Sequence, residues 1–208
     1  MSREGSATGD ARTPLQRQLT GTRAPAKATP LDALATARRW FDQGRRLDIQ
    51  ALAAELGVSR VTLHRWVGTR EQLLVEVLWV SAERALTRLR DQVRAEGLAR
   101  SHTAEVLGRW AREVLAHPGH QQLQSEEGEM FARLLTHDAS EFQRRLIELV
   151  QQMLSEDIAA GRVTIDLEPL ELAYTVVRIL ESFVHTPAIT GCAPNPDGNA
   201  RVLRALLH

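Results

Sequence analysis

From Leu31 onward the apolar residues of this chain recur every three or four positions, the spacing of helices that bury one face. Leu31, Leu34, Ala37, Trp40 and Phe41 form one face of a first helix that stops near Gly44. Asp48 is placed to cap a second helix over 49–56, and Gly57 to end it. Ser59 caps a third, which runs to about Val67 and breaks at Gly68-Thr69. A fourth is predicted from about Arg70 to Ala95, with Leu73, Leu74, Val77, Leu78, Ala85, Leu86, Leu89 and Val93 on its buried side. Further helices are expected over about 103–116, 121–135, 140–160, 169–185 and 199–207. No segment shows the strict alternation of a half-buried strand, and no internal repeat stands out. The expected fold is all-α, with about nine helices. A three-helix head would span 28–75 and a helical body 76–208, after a tail over 1–27.

The second and third helices are short and joined only by Gly57-Val58, which makes a helix-turn-helix. Gly57 supplies the positive φ of the tight turn. Ala53 is small where the helices cross, Val58 points into their angle, and Leu56, Leu63 and Trp66 close the small core. With Leu63 and Trp66 inward, Ser59, Arg60, Val61, His64 and Arg65 face out, with Thr62 at the margin. This set suits a DNA major groove. Arg60 can pair bidentately with guanine O6 and N7, and Val61 and the Thr62 methyl can touch a thymine methyl. The helix N-terminus attracts phosphate. Thr69 and Arg70, which open the next helix, are expected to hold the DNA backbone without reading sequence.

Charge supports this division. Residues 1–75 hold 12 Lys and Arg against 7 Asp and Glu, whereas the remainder holds 14 against 19, so the basic half contains the helix-turn-helix. Residues 1–27 are rich in small and polar types with two leucines, the composition of a disordered tail. Its five basic residues either touch DNA or do nothing specific. The single cysteine, Cys192, permits no internal disulfide and points to a reducing cytoplasm. The N-terminus lacks the apolar stretch of a signal peptide, and no run reaches the roughly 20 apolar residues of a membrane span.

Residues 52–74 resemble the DNA-binding signature of the TetR family of transcriptional regulators, through Gly57-Val58-Ser59, Thr62-Leu63 and Glu71-Gln72-Leu73-Leu74. His64 stands where that family commonly has a tyrosine that grips a backbone phosphate, and a histidine ring nitrogen can donate in the same way. Val61, Val67 and Arg70 also depart from the usual residues. The run Leu63-His64-Arg65-Trp66-Val67 is similar to a subgroup of the family that regulates lactone degradation. The resemblance implies a homodimeric repressor on double-stranded operator DNA, its third helices in major grooves about 34–36 Å apart. A small-molecule effector, such as a lactone or related metabolite, would shift the fourth helix and spread the heads.

In the body, the segment from Pro169 is apolar on two sides: Leu170, Ala173, Val177, Leu180 and Val184 on one, Leu172, Val176, Ile179 and Phe183 on the other. It is expected to be the main dimer helix, with Val202, Leu203, Leu206 and Leu207 completing a four-helix bundle across a two-fold axis. A third side holds Tyr174, Arg178, Glu181 and His185, which line an effector cavity or pair in solvent or at the interface. Trp110, Met130, Phe131, Phe142 and Met153 are candidate apolar walls. Enzymatic constellations are weak. His117-Pro118-Gly119-His120, followed by Glu126, Glu127 and Glu129, lacks the one-face spacing of a helical metal site and reads as a surface loop. Cys192 has no nearby histidine to activate it. No enzyme activity, metal or cofactor is therefore expected. The competing reading is an architectural or recombination module that binds DNA without a ligand, against which the long body argues.

Overall fold

The computed structural model describes residues 28–98, 100–136, 141–184 and 193–208. The tail expected over 1–27, together with His185 and Cys192, lies outside the described residues. Among the described residues there are nine helices and no strand. They are α1 (Pro30–Asp42), α2 (Ile49–Glu55), α3 (Arg60–Val67), α4 (Arg70–Glu96), α5 (His102–Ala116), α6 (Pro118–Thr136), α7 (Glu141–Ala159), α8 (Pro169–Val184) and α9 (Pro196–Leu206).

Local chemistry sets most of these ends. Asp48, Ser59 and Thr69 cap α2, α3 and α4 by accepting from the backbone N–H three residues on. Thr69 and Gln72 do so reciprocally. Gly57 turns the chain at φ +65°, a left-handed value that costs glycine little. Two starts come earlier than the apolar spacing indicates. Proline is favoured at the first helical position, so Pro118 opens α6 and Pro196, after the Asn195 cap, opens α9. His117-Pro118-Gly119-His120 is therefore not a surface loop. It is the packed first turn of α6.

The head, α1 to α3, folds around Trp40, Leu52 and Leu63, all at most 1% exposed. The Trp40 indole donates to Glu55 at 3.1 Å, and Glu55 also receives Arg39 at 2.6 Å, so the end of α2 is fixed to α1. The helix α4 runs unbroken from head to body, across the boundary expected at residue 75. In the body α5 is the central helix, packed by α4, α9, α8, α7 and α6. Its N-terminus is held by Asp157 of α7, which is 1% exposed and accepts from Ser101 Oγ, the backbone N–H groups of His102 and Thr103, and Arg162. Burial alone would raise the Asp157 pKa; these donors outweigh it and hold it below the ordinary value.

Leu172, Ala173, Val176, Val177 and Leu180 of α8 are buried within the protomer, as are Leu203 and Leu207. Both apolar sides of α8 are thus largely consumed by its own chain, and Leu203 and Leu207 point into that core. Leu170, Tyr174 and Val202 remain open, at 55%, 54% and 41% exposed. No helix among the described residues is long and apolar enough to cross a membrane.

Candidate nucleic-acid interface and internal cavity

The reading face is built by α3. Leu63 is fully buried and Trp66 half-buried, which turns Arg60, Val61, His64 and Arg65 to solvent. Val61 is 73% exposed, an apolar side chain that nothing in the protomer covers. Arg60 and Arg65 make no ion pair or hydrogen bond among the described residues. The Ser59 hydroxyl caps Thr62 N–H at 3.0 Å and lies 2.9 Å from the Thr62 hydroxyl, which locks the first turn of α3. Thr69 is exposed, with its hydroxyl accepting the cap hydrogen bond of α4 at 3.2 Å.

Arg70 lies elsewhere. Its guanidinium is 19% exposed and directed into the protein. Nε donates to the Leu47 carbonyl at 2.6 Å, and the two terminal nitrogens grip the Glu127 carboxylate at 2.8 and 2.6 Å. Arg46 reaches the same carboxylate at 3.3 Å. The expected backbone grip by Arg70 thus meets a geometry in which its donors are engaged by protein acceptors. Glu127 is where α6 breaks, with φ −139° and ψ 31°. The break lets one carboxylate of α6 tie together the loop before α2 and the start of α4.

The N-terminal half of α6 is seated on α1. A Cβ on Gly119 would stand 2.3 Å from the Phe41 carbonyl oxygen, so only glycine allows this approach. His117 stacks on Phe41 with ring centroids 4.7 Å apart, and its Nε2 lies 3.4 Å from Asp42.

Between α5, α6, α7 and α8 the body holds a small, partly open cavity of ≈ 40 Å³. Trp110, Ala111 and Val114 come from α5, His120 and Phe131 from α6, Phe142 and Leu146 from α7, and Leu180, Glu181 and Val184 from α8. Four residues singled out from the sequence meet here: Trp110, Phe131, Phe142 and Glu181. Four do not. Met153 borders a separate crevice with Arg90 and Asp157, and Met130 lies beside Glu126 and Glu129 on an open surface. Tyr174 is exposed, with the Arg178 guanidinium 5.4 Å from its ring centroid. Arg178 stands behind Glu181, 2.6 Å from Oε2, rather than in the wall. Gln143 joins the two by donating to Glu181 and accepting from Arg178. Burial raises the Glu181 pKa more than these partners lower it.

Sequence reasoning missed His120 as a wall residue. His120 lies just before the helix expected from 121, and the break at Glu127 separates it from Phe131, so helix spacing alone does not bring the two together. Glu127 left no signal either, since its partners lie 57 residues away or more. A larger open groove of ≈ 990 Å³ runs between the head and the body past Leu31, Leu34, Trp66, Val75 and Leu134.

A helix-turn-helix head rigidly continued by a long helix into a helical body is the architecture of a transcriptional regulator. Residues 96–208 match the family model for the tetracyclin repressor-like C-terminal domain, and the chain belongs to the TetR family. Members of this family bind operator DNA, respond to small molecules and act as dimers, and they are generally not enzymes. Among solved structures, the chain is similar to the TetR-family transcriptional repressor QsdR of R. erythropolis. Identity is 27%, the TM-score is 0.75, and the match covers 88% of this chain and 96% of that one. AlkX of Dietzia, a TetR-family repressor implicated in biodegradation of n-alkanes, shares the fold at 22% identity and TM-score 0.62, over 86% and 94% of the two chains. FadR of Bacillus subtilis, in complex with stearoyl-CoA, shares it at 12% identity and TM-score 0.56, over 86% and 99%. No curated protein matched in a search by sequence.

Proposed function

We propose that this protein is a ligand-responsive, sequence-specific DNA-binding repressor that a small molecule releases from its operator. The observation that carries the proposal is the open face of α3, where two arginines and a histidine surround an exposed valine with no hydrogen-bond or ion-pair partner among the described residues. Arg60, Val61 and the Thr62 methyl read bases; Ser59, His64, Arg65 and Thr69 position the backbone. Arg70 is withdrawn from this set because Glu127 and Leu47 engage it. Residues 28–75 act as the DNA-binding head and 76–208 as the ligand-binding and dimerising body, with α4 common to both.

The effector site is the cavity between α5, α6, α7 and α8. Its wall helix α6 is also the helix that holds the head through Glu127, so a ligand that displaces Phe131 strains the attachment of α4. That connection supports ligand response over an architectural role without a ligand. The run 63–67 and the likeness to QsdR support a lactone or related metabolite as effector. The open apolar residues Leu170, Tyr174 and Val202 support a homodimer through α8 and α9.

The test is a mobility-shift assay on DNA upstream of the protein's own coding sequence, with and without lactones. A specific shift that a lactone relieves is expected. Absence of any specific shift refutes the repressor reading, and a shift that no small molecule relieves favours the architectural one.

A further inference from the structure

The walls of the cavity are apolar apart from His120 and Glu181. Glu181 is 12% exposed, and among the described residues its cationic partner, Arg178, lies behind it at 2.6 Å rather than in the wall. Gln143 closes the third side of this cluster. One terminal nitrogen of Arg178 is thus already shared by Glu181 and Gln143, while its buried Nε has no hydrogen-bond partner among the described residues. Among the described residues, an anion entering the cavity would meet the Glu181 carboxylate, with the Arg178 guanidinium behind it, in a space with few other polar groups. A cation would have to shed its hydration and then compete with Arg178 for Glu181. An uncharged molecule avoids both costs. At ≈ 40 Å³ the cavity holds no more than a few water-sized groups, so an occupant must also push its walls apart. Of those walls, Phe131 lies beyond the break in α6.

Resting on the reading of this cavity as the effector site, we propose that the Glu181–Arg178 pair is a charge filter that admits a compact, uncharged, mostly apolar molecule with one hydrogen-bonding group, and rejects carboxylates and ammonium ions. Burial supports the same assignment, because it makes the Glu181 charge costly to hold and further charge nearby costlier still. Replacing Glu181 by glutamine removes the filter. Arg178 then loses its charged partner, keeps neutral ones in the Gln143 carbonyl and the Tyr174 ring, and becomes more available to an incoming carboxylate.

The experiment uses the full chain and three six-carbon probes at pH 8: γ-hexalactone, hexanoate and hexylammonium. Each is titrated by calorimetry and by thermal shift into wild type, Glu181→Gln, and Ala111→Leu, which fills the cavity. The lactone is expected to bind wild type and raise its Tm, with hexanoate and hexylammonium at least about tenfold weaker, or about 1.4 kcal/mol. Ala111→Leu should abolish the lactone effect. Glu181→Gln should tighten hexanoate binding about tenfold and leave the lactone within about threefold. The filter is refuted if hexanoate or hexylammonium matches the lactone on wild type, if Glu181→Gln leaves the hexanoate-to-lactone ratio unchanged, or if none of the probes binds. DNA release is scored separately on the same preparations. Lactone binding without release upholds the filter and counts against the regulator, whereas release by an anion upholds the regulator and refutes the filter.

Discussion

Arg60 and Arg70 stand ten residues apart at the starts of adjoining helices, and their surroundings send them to opposite tasks. Arg60 is exposed with no acceptor among the described residues, the setting in which it is proposed to meet a base edge. Arg60→Ala is expected to cost about 1–3 kcal/mol at one base-pair position and little elsewhere, read by binding to a panel of singly substituted operators. A uniform loss across the panel would reassign Arg60 to the backbone. His64, on the same face, is proposed to donate a hydrogen bond to a backbone phosphate, as a tyrosine hydroxyl could in its place. His64→Ala should therefore weaken binding to all operators of the panel alike, and His64→Tyr should retain it. A loss confined to one base-pair position, or no loss at all, places His64 away from the phosphate.

At the scale of elements, α6 has the most consequences. One half is fitted against α1 at Gly119, the other contributes Phe131 to the cavity, and the break between them presents Glu127 to Arg70 and Arg46. Glu127→Gln leaves Arg70 partly buried without its counter-charge. The expected loss is about 2 kcal/mol, below the full range for buried pairs because both groups retain some contact with water. The pH dependence has a definite sign. Burial would raise the Glu127 pKa, but the Arg70 hydrogen bonds and the Arg70 and Arg46 charges prevail and lower it. A carboxylate depressed in the folded state stabilises fully above its ordinary pKa of about 4.3, and this contribution fades as pH falls through the folded value. Chemical denaturation of wild type and Glu127→Gln should thus differ most at neutral pH and converge in acid. A constant gap down to the acid limit means that the pair is not the source. Amide exchange at 45–48 should also quicken in the variant, since Leu47 loses the rigid arginine held against its carbonyl.

For the whole molecule the question is what covers Leu170, Tyr174 and Val202. The inward faces of α8 and α9 are already filled by the protomer, so a partner has this narrower outer strip to use. Leu170→Glu combined with Tyr174→Glu should convert a dimer to a monomer in sedimentation velocity and sharply weaken operator binding, because two heads then no longer bind as one. A double variant that sediments as the dimer would move the interface elsewhere.

What the sequence determined by itself is the local architecture. Helix spacing, the caps at Asp48, Ser59 and Thr69, and the glycine turn at Gly57 depend on residues within about a turn of one another, and the outward set of α3 follows from Leu63 and Trp66 pointing in. The head and the all-α fold were legible for that reason. Tertiary structure alone decided what each long-range side chain meets. It paired Arg70 with Glu127, folded the His117–His120 turn against Phe41, turned Leu203 and Leu207 inward, and put Arg178 behind Glu181. A charged or apolar residue on a helix has a face fixed by its neighbours in sequence. Its partner is fixed by which other helix arrives at that face, and no spacing rule within one helix contains that information.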